Sequence, residues 1–322
     1  MDTFKIGRWF PLLACWILVL ASCSRDDNKL QPTGYERENL LTLEKGDIKG
    51  IFVDNSEIQP HHRRGYNGIA QLYHVQEDSG IFVPAFAGFN LEHIFGGDSL
   101  QQLFEPRQHP MTLYRKGEDE VMLYQGRTPL SDVESLTSFK IVAPHYIDIT
   151  FQCVFHDDDF FHHDYAGLFW ASYIHNPEDK KLYFPGIKEN SGDSSSLVAA
   201  WSEQHGVAST HRSIRDDQDF FFAEDFNARL ASHFSSYRYT APYFFGRYKN
   251  MVLAFLFDSK EIIRFSQSPT GGGELNPAWD FQYLVPSPRT GKKYSFKARI
   301  VYKPFVNEMD ILSEYERWVE TN

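Results

Sequence analysis

Apolar and polar residues alternate along Tyr146–Phe155, where Ile147, Ile149, Phe151, Cys153 and Phe155 share one face and Asp148, Thr150 and Gln152 the other. The pattern predicts a long antiparallel strand with one wetter face. Residues 294–303 repeat it, with Ser295, Lys297 and Arg299 opposed to the apolar positions. Met111–Arg115 and residues 121–125 flank Lys116-Gly117-Glu118-Asp119 and read as a hairpin. Residues 47–54, 66–75 and 80–86 read as further strands, and Met251–Phe257 is continuously apolar, as in a strand covered on both sides. Residues 167–175 form an aromatic and β-branched strand stopped by Asn176-Pro177, which leaves His175 at the last strand position. Two stretches read as helix, residues 225–234 and Glu308–Glu320. In the second, Ile311, Leu312, Tyr315, Trp318 and Val319 make one apolar face. With no repeat and no internal linker, the expectation is an all-β fold: one large antiparallel β-sandwich over residues 41–322 with a short C-terminal helix.

The start of the chain follows different rules. Lys5 and Arg8 precede an apolar run at residues 10–20, which ends in Leu20-Ala21-Ser22-Cys23. This looks like a bacterial lipobox: residues 1–22 a signal peptide, Cys23 the lipidated residue, and the lipid the link to a membrane. An ordinary signal peptide or an uncleaved anchor is the alternative. Residues 23–40 are polar and read as a flexible tether. Their opening Ser24-Arg25-Asp26-Asp27-Asn28 resembles the surface-export signal of Bacteroidetes lipoproteins. The expected location is the bacterial cell envelope. Of three cysteines, Cys15 lies in the signal and Cys23 carries lipid, so only Cys153 remains and no internal disulfide forms. A formal net charge of −11, with no basic tract longer than Arg63-Arg64, excludes nucleic acid as a natural partner. Much of the aromatic content, 28 Phe and 17 Tyr, is expected in the core; in an extracytoplasmic β-protein it also supplies stacking surfaces, for which sugars are a frequent partner.

Four loops concentrate polar residues beside aromatics. His61-His62-Arg63-Arg64-Gly65-Tyr66-Asn67 carries two arginines able to clamp a carboxylate or sulfate, or simply a solvated turn. The others run from Val83 through Glu92 and His93, from Phe104 through Arg107 and His109 to Pro110, and from Ser268 through Glu274 to Trp279-Asp280. The last contains Gly271-Gly272-Gly273, but no Lys-Ser/Thr follows and no helix opens, which excludes a P-loop. The cluster from His156 to Asp164 has neither zinc-site spacing nor an EF-hand pattern, and no nucleophile elbow is present. No metal and no cofactor are expected.

The order of these segments resembles the galactose-mutarotase-like β-supersandwich, the fold of aldose epimerases and several carbohydrate-active enzymes. The resemblance rests on Pro84-Ala85-Phe86-Ala87-Gly88 before a His-bearing loop, on a central strand ending in His175, and on Glu274 before Asn276-Pro277. The His-x-Tyr-Phe-Asn run of the epimerases is absent around His175. The resemblance implies a carbohydrate ligand and a catalytic pair, His175 as acid and Glu274 as base, with His93 and His109 as further candidates. Arg64, Arg107, Trp170, Tyr173 and Trp279 are then expected to orient the sugar, with Tyr66, Asn67 and Asp280 beside them. The reaction implied is that of an epimerase, lyase or hydrolase. The alternatives are a glycan-binding lipoprotein without turnover, and a structural envelope protein.

Overall fold

The structure, a computed structural model, describes residues 1, 29–97, 104–192, 194–222, 229–258 and 261–321. Its strands are β1 (Glu36–Glu38), β2 (Leu40–Lys45), β3 (Ile48–Val53), β4 (Gly68–His74), β5 (Asn90–Phe95), β6 (Met111–Arg115) and β7 (Glu120–Gln125). They continue with β8 (Val133–Val142), β9 (Tyr146–Phe155), β10 (Tyr165–Ala171), β11 (Leu182–Lys188), β12 (Ser196–Ala200) and β13 (Thr210–Ser213). The last six are β14 (Phe234–Tyr239), β15 (Tyr243–Tyr248), β16 (Met251–Phe257), β17 (Ile262–Ser268), β18 (Ala278–Pro286) and β19 (Lys293–Pro304). The helices are α1 (Glu105–Gln108), α2 (Arg229–Ser232) and α3 (Glu308–Glu320).

One sheet follows the order β1-β6-β7-β8-β9-β19-β16-β15-β11-β14-β13-β17-β18-β10-β5, with β12 beside β11; β2-β3-β4 form a second, smaller sheet. The large sheet folds back on itself. Phe151 of β9 meets Trp170 of β10 at 4.8 Å between ring centroids, and Phe244 of β15 meets Phe265 of β17 at 5.0 Å. The half centred on β9-β19-β16 therefore faces the half centred on β17-β18-β10, and aromatic side chains from both fill the space between. Gly246 of β15 is required there: a Cβ would stand 2.2 Å from the Trp279 indole of the opposite layer.

The alternating segments form the strands expected, with β9 and β16 over the same residues and the 111–125 hairpin as β6 and β7. The expected C-terminal helix is α3, capped by Asn307, whose side chain accepts from the Asp310 N–H at 3.0 Å. Ile311 and Trp318 of α3 pack on the outer side of β15, β16 and β19. Three expectations need correction. Residues 80–86 make only isolated bridges, because Ala85 has a left-handed φ of 69° and the Gln71 side chain, rather than a neighbouring strand, bonds both backbone groups of Phe82. The strand expected at 167–175 ends at Ala171. The segment expected as tether already contains β1, which pairs with β6. The helix expected at residues 225–234 lies partly outside the described residues, and its described part is the single turn α2.

Candidate functional site

Odd and even positions of a strand face opposite sides, so each strand of β17-β18-β10-β5 sends one set of side chains into the core and the other outward. On β10 the inward set includes Leu168 and Trp170, which leaves Phe169 and Ala171 outside. On β18 it is Trp279, Phe281 and Tyr283 inward, with Ala278, Asp280 and Gln282 outside. The outer face is then partly covered. Arg264 of β17 holds Asp216 (Nε–Oδ2 2.6 Å) and lies over Phe220. The hydroxyls of Thr210 and Ser266 donate to the Leu230 carbonyl, and Gln282 donates to the Ala231 carbonyl at 3.2 Å. These bonds seat α2 across the strands. What remains open is a cavity of about 380 Å³ lined by Tyr66, Glu92, His93, Phe104, Arg107, Phe169, Ala171, Tyr173, His205, Leu230, Ser268, Gly271, Ala278 and Asp280.

Glu92 and His93 are adjacent in sequence and yet both line this cavity, and β5 shows why. His93 pairs with Phe169 and Leu91 with Trp170, so Glu92 is the extra residue of a β-bulge. A bulge breaks the alternation and turns two consecutive side chains to the same side. Glu92, 6% exposed, accepts from the Arg107 guanidinium at 2.7 Å and from the Tyr173 phenol, and its other oxygen lies 3.6 Å from His93 Nε2. Arg107 also stacks on Tyr66, 4.1 Å from the ring centre.

Asp280 forms the floor, 1% exposed, accepting from the Ser172 N–H at 3.2 Å. Burial, reinforced by the charge of Glu92, pushes its pKa well above the ordinary carboxylate value. His205 sits at the rim with Nδ1 2.9 Å from Ser268 Oγ. Burial holds its pKa below the ordinary histidine value, with the Glu92 charge pulling the other way. Ser266 faces Asp280 across β17 and β18, so Ser268 is the diagonal neighbour, about 7 Å away in such a ladder. A carboxyl whose pKa burial raises and an imidazole whose pKa burial lowers thus share one small space, an arrangement general acid–base chemistry can use.

Of the residues singled out from the sequence, His93, Tyr66, Arg107, Tyr173 and Asp280 line the cavity. Arg64 lines its outer mouth, an adjoining hollow that shares Phe104 and Arg107. The others lie elsewhere. His175 is exposed four residues beyond β10, its N–H donating to the Ile81 carbonyl at 2.9 Å. Glu274 is exposed in a neighbouring loop, its carbonyl accepting from Lys180 Nζ at 3.3 Å; neither lines the cavity. Trp170 and Trp279 are core residues rather than sugar platforms, since their parity is opposite to that of Tyr173 and Asp280. Asn67 fastens its loop to β5 by bonds to Asn90 and Leu91, and His109 contributes its carbonyl to Asn55 and Gln125. Cys23 lies outside the described residues. Glu92, Phe169, His205 and Ser268 escaped the sequence reading as site residues, although a lone carboxylate within the apolar run of β5 signals a buried acid in need of partners. Among the described residues, the only grouping with metal-ligand proximity is Asp157, Asp158 and Asp159, all exposed.

No family model matches the chain and no curated protein matches it. Among solved structures it is similar to a putative aldose 1-epimerase from Escherichia coli K12, at 8% identity and a TM-score of 0.47, over 83% of this chain and 99% of that one. A GalM/aldose epimerase homologue from C. elegans is similar at 8% identity and a TM-score of 0.48, over 84% and 100%. A heparan sulfate lyase HepC mutant from Pedobacter heparinus is similar at 6% identity and a TM-score of 0.47, over 86% of this chain but 38% of that one.

Proposed function

We propose that this chain acts on a carbohydrate in the Asp280 cavity by acid–base catalysis, as an epimerase, lyase or hydrolase. The observation that carries the reading is Asp280: a buried carboxyl at the floor of an aromatic-walled hollow, its pKa raised by burial, with the His205 imidazole at the rim. Asp280 donates a proton to a ring or glycosidic oxygen, and His205, with Nδ1 held by Ser268, receives one. Phe104, with the edge of Tyr66, offers stacking surface to the C–H face of a sugar, and the Arg107–Glu92 pair offers donors and acceptors to its hydroxyls. This assignment replaces the His175–Glu274 pair expected from the sequence, because both of those residues are exposed outside the cavity. The test is a glycan panel scored for binding and for product, with Asp280→Asn and His205→Ala beside the parent protein. Unchanged turnover in both variants overturns the assignment.

The second reading is glycan binding without turnover. What favours it is Glu92, whose carboxylate is already engaged by Arg107 and Tyr173 and so is not available as a base without breaking both bonds. Saturable binding with no product from any panel member would select it.

The proposal includes the envelope: lipid on Cys23, supported by Leu20-Ala21-Ser22-Cys23, anchors the chain to a membrane. Labelling with a fatty-acid analogue, present in the parent and absent in Cys23→Ser, tests it.

A further inference from the structure

We infer that the substrate carries an anionic group, a carboxylate or sulfate, which is read at the mouth of the cavity by Arg64 together with Arg107, with the charge of Arg63 behind them. The inference rests on the reading of the cavity as a carbohydrate site. Two guanidiniums lie over Tyr66 and a third faces the adjoining hollow. Arg107 lies 4.1 Å and Arg63 5.7 Å from its ring centre, and Arg64 lines the same opening as Arg107 and Phe104. Only Arg107 has a carboxylate partner, Glu92; among the described residues neither Arg63 nor Arg64 lies within ion-pair distance of one. In a chain of net charge −11 this local surplus of positive charge stands against the overall balance.

The backbone that carries the arginines is held in place. Asn55 donates to the carbonyls of Pro106 and His109 and accepts from the Gly65 N–H through its own carbonyl, so one residue ties the Arg64 loop to the Arg107 loop. Gly65, at a φ of 95°, packs where a Cβ would stand 3.3 Å from the Arg107 carbonyl oxygen. Glu105 of α1 accepts from the Leu130 N–H and from Ser131, bracing the Arg107 loop from its other side. Arginines on fixed loops with a planar donor fork suit carboxylate or sulfate recognition, because the backbone needs little ordering on binding.

The experiment compares the full chain on matched probes: oligogalacturonate with its carboxyl-reduced neutral form, and sulfated carrageenan oligosaccharides, which carry no carboxylate, with their desulfated neutral form. The expected result is preference for one charged member, weakening with added salt and lost about 10- to 100-fold in Arg64→Ala. Arg64→Lys should recover only part of the loss, since it restores the charge without the fork. The member preferred distinguishes carboxylate from sulfate. Equal handling of charged and neutral members overturns the inference and leaves the carbohydrate reading intact. Failure of every member to bind overturns both.

Discussion

Arg107 reaches Glu92 across the cavity wall at 2.7 Å, joining the loop that carries α1 to the bulge of β5. The carboxylate side chain is 8% exposed, so its charge depends on this partner and on the Tyr173 hydroxyl. Arg107→Ala strands that charge and is expected to destabilise the protein by about 3 kcal/mol, the low end for a broken buried pair because the guanidinium keeps some exposure. The double variant Arg107→Ala/Glu92→Gln should recover part of the loss. Denaturant unfolding of the parent, both single variants and the double variant measures the coupling.

Asp280→Asn keeps the size of the side chain and removes the acidic proton. Turnover on a responsive glycan is expected to fall about 100-fold or more with little change in KM, as for loss of a general acid. His175→Ala and Glu274→Ala are expected to leave turnover within about twofold, because their exposed side chains stand outside the cavity.

The pH profile of kcat should be bell-shaped. On the acid side activity is lost as His205 becomes protonated, and burial places that limb below the ordinary histidine value of 6.5. On the alkaline side it is lost as Asp280 gives up its proton, at a pH well above the ordinary 3.8 of an aspartate. The sign carries over to stability. A carboxyl with a raised folded-state pKa stabilises below its unfolded value, and that contribution fades as pH rises through the folded one. Asp280→Asn should therefore remove the alkaline limb and flatten the alkaline side of the stability curve.

His211 gives the opposite slope. Complete burial pushes its imidazole down to about 3, and Nδ1 lies 2.6 Å from Ser235 Oγ. As pH falls below about 6.5 the unfolded chain takes up a proton that the folded one refuses, costing about 1.4 kcal/mol per pH unit until about pH 3. His211→Phe should cost about 1 kcal/mol at neutral pH through the lost hydrogen bond and give a shallower loss of stability in acid. Urea midpoints between pH 4 and pH 7 check both.

Trp170 lies parallel to Phe281 within the sandwich, 5.0 Å between centroids at 3° between planes. Trp170→Ala is expected to cost about 3–5 kcal/mol by opening a cavity. At a temperature where the variant stays folded, ligand affinity should be nearly unchanged. A selective loss of affinity would return this indole to the binding surface.

Much of the sandwich was readable before any coordinates. The alternation in β9 and β19, the continuous apolar run of β16 and the amphipathic face of α3 each state a local preference that packing did not override. The site was readable only in part. Parity alone would have separated Trp170 from Tyr173, three positions apart, and Trp279 from Asp280, one apart, since neither pair can face one ligand from a regular strand. Counting residues to His175 failed because the strand ends at Ala171, where the chain leaves β10 to make isolated bridges through Tyr173 and Ile174. Glu92 and His205 were hidden for different reasons. A bulge depends on the register of a partner strand that is distant in sequence, and His205 reaches the cavity through a loop with no periodic signal.

The single extra residue in β5 can leave that strand without disturbing the pairing on either side of it. Elsewhere on the surface an inserted or deleted residue is absorbed by a loop at small cost. Deleting Glu92 restores strict alternation to β5 with Leu91 and Ile94 still inward and Asn90, His93 and Phe95 still outward, so no neighbour has to change sides. What the deletion removes is the carboxylate that holds Arg107 and Tyr173. A chain shortened at this position is therefore expected to keep its sandwich and to lose the tie between β5 and the Arg107 loop.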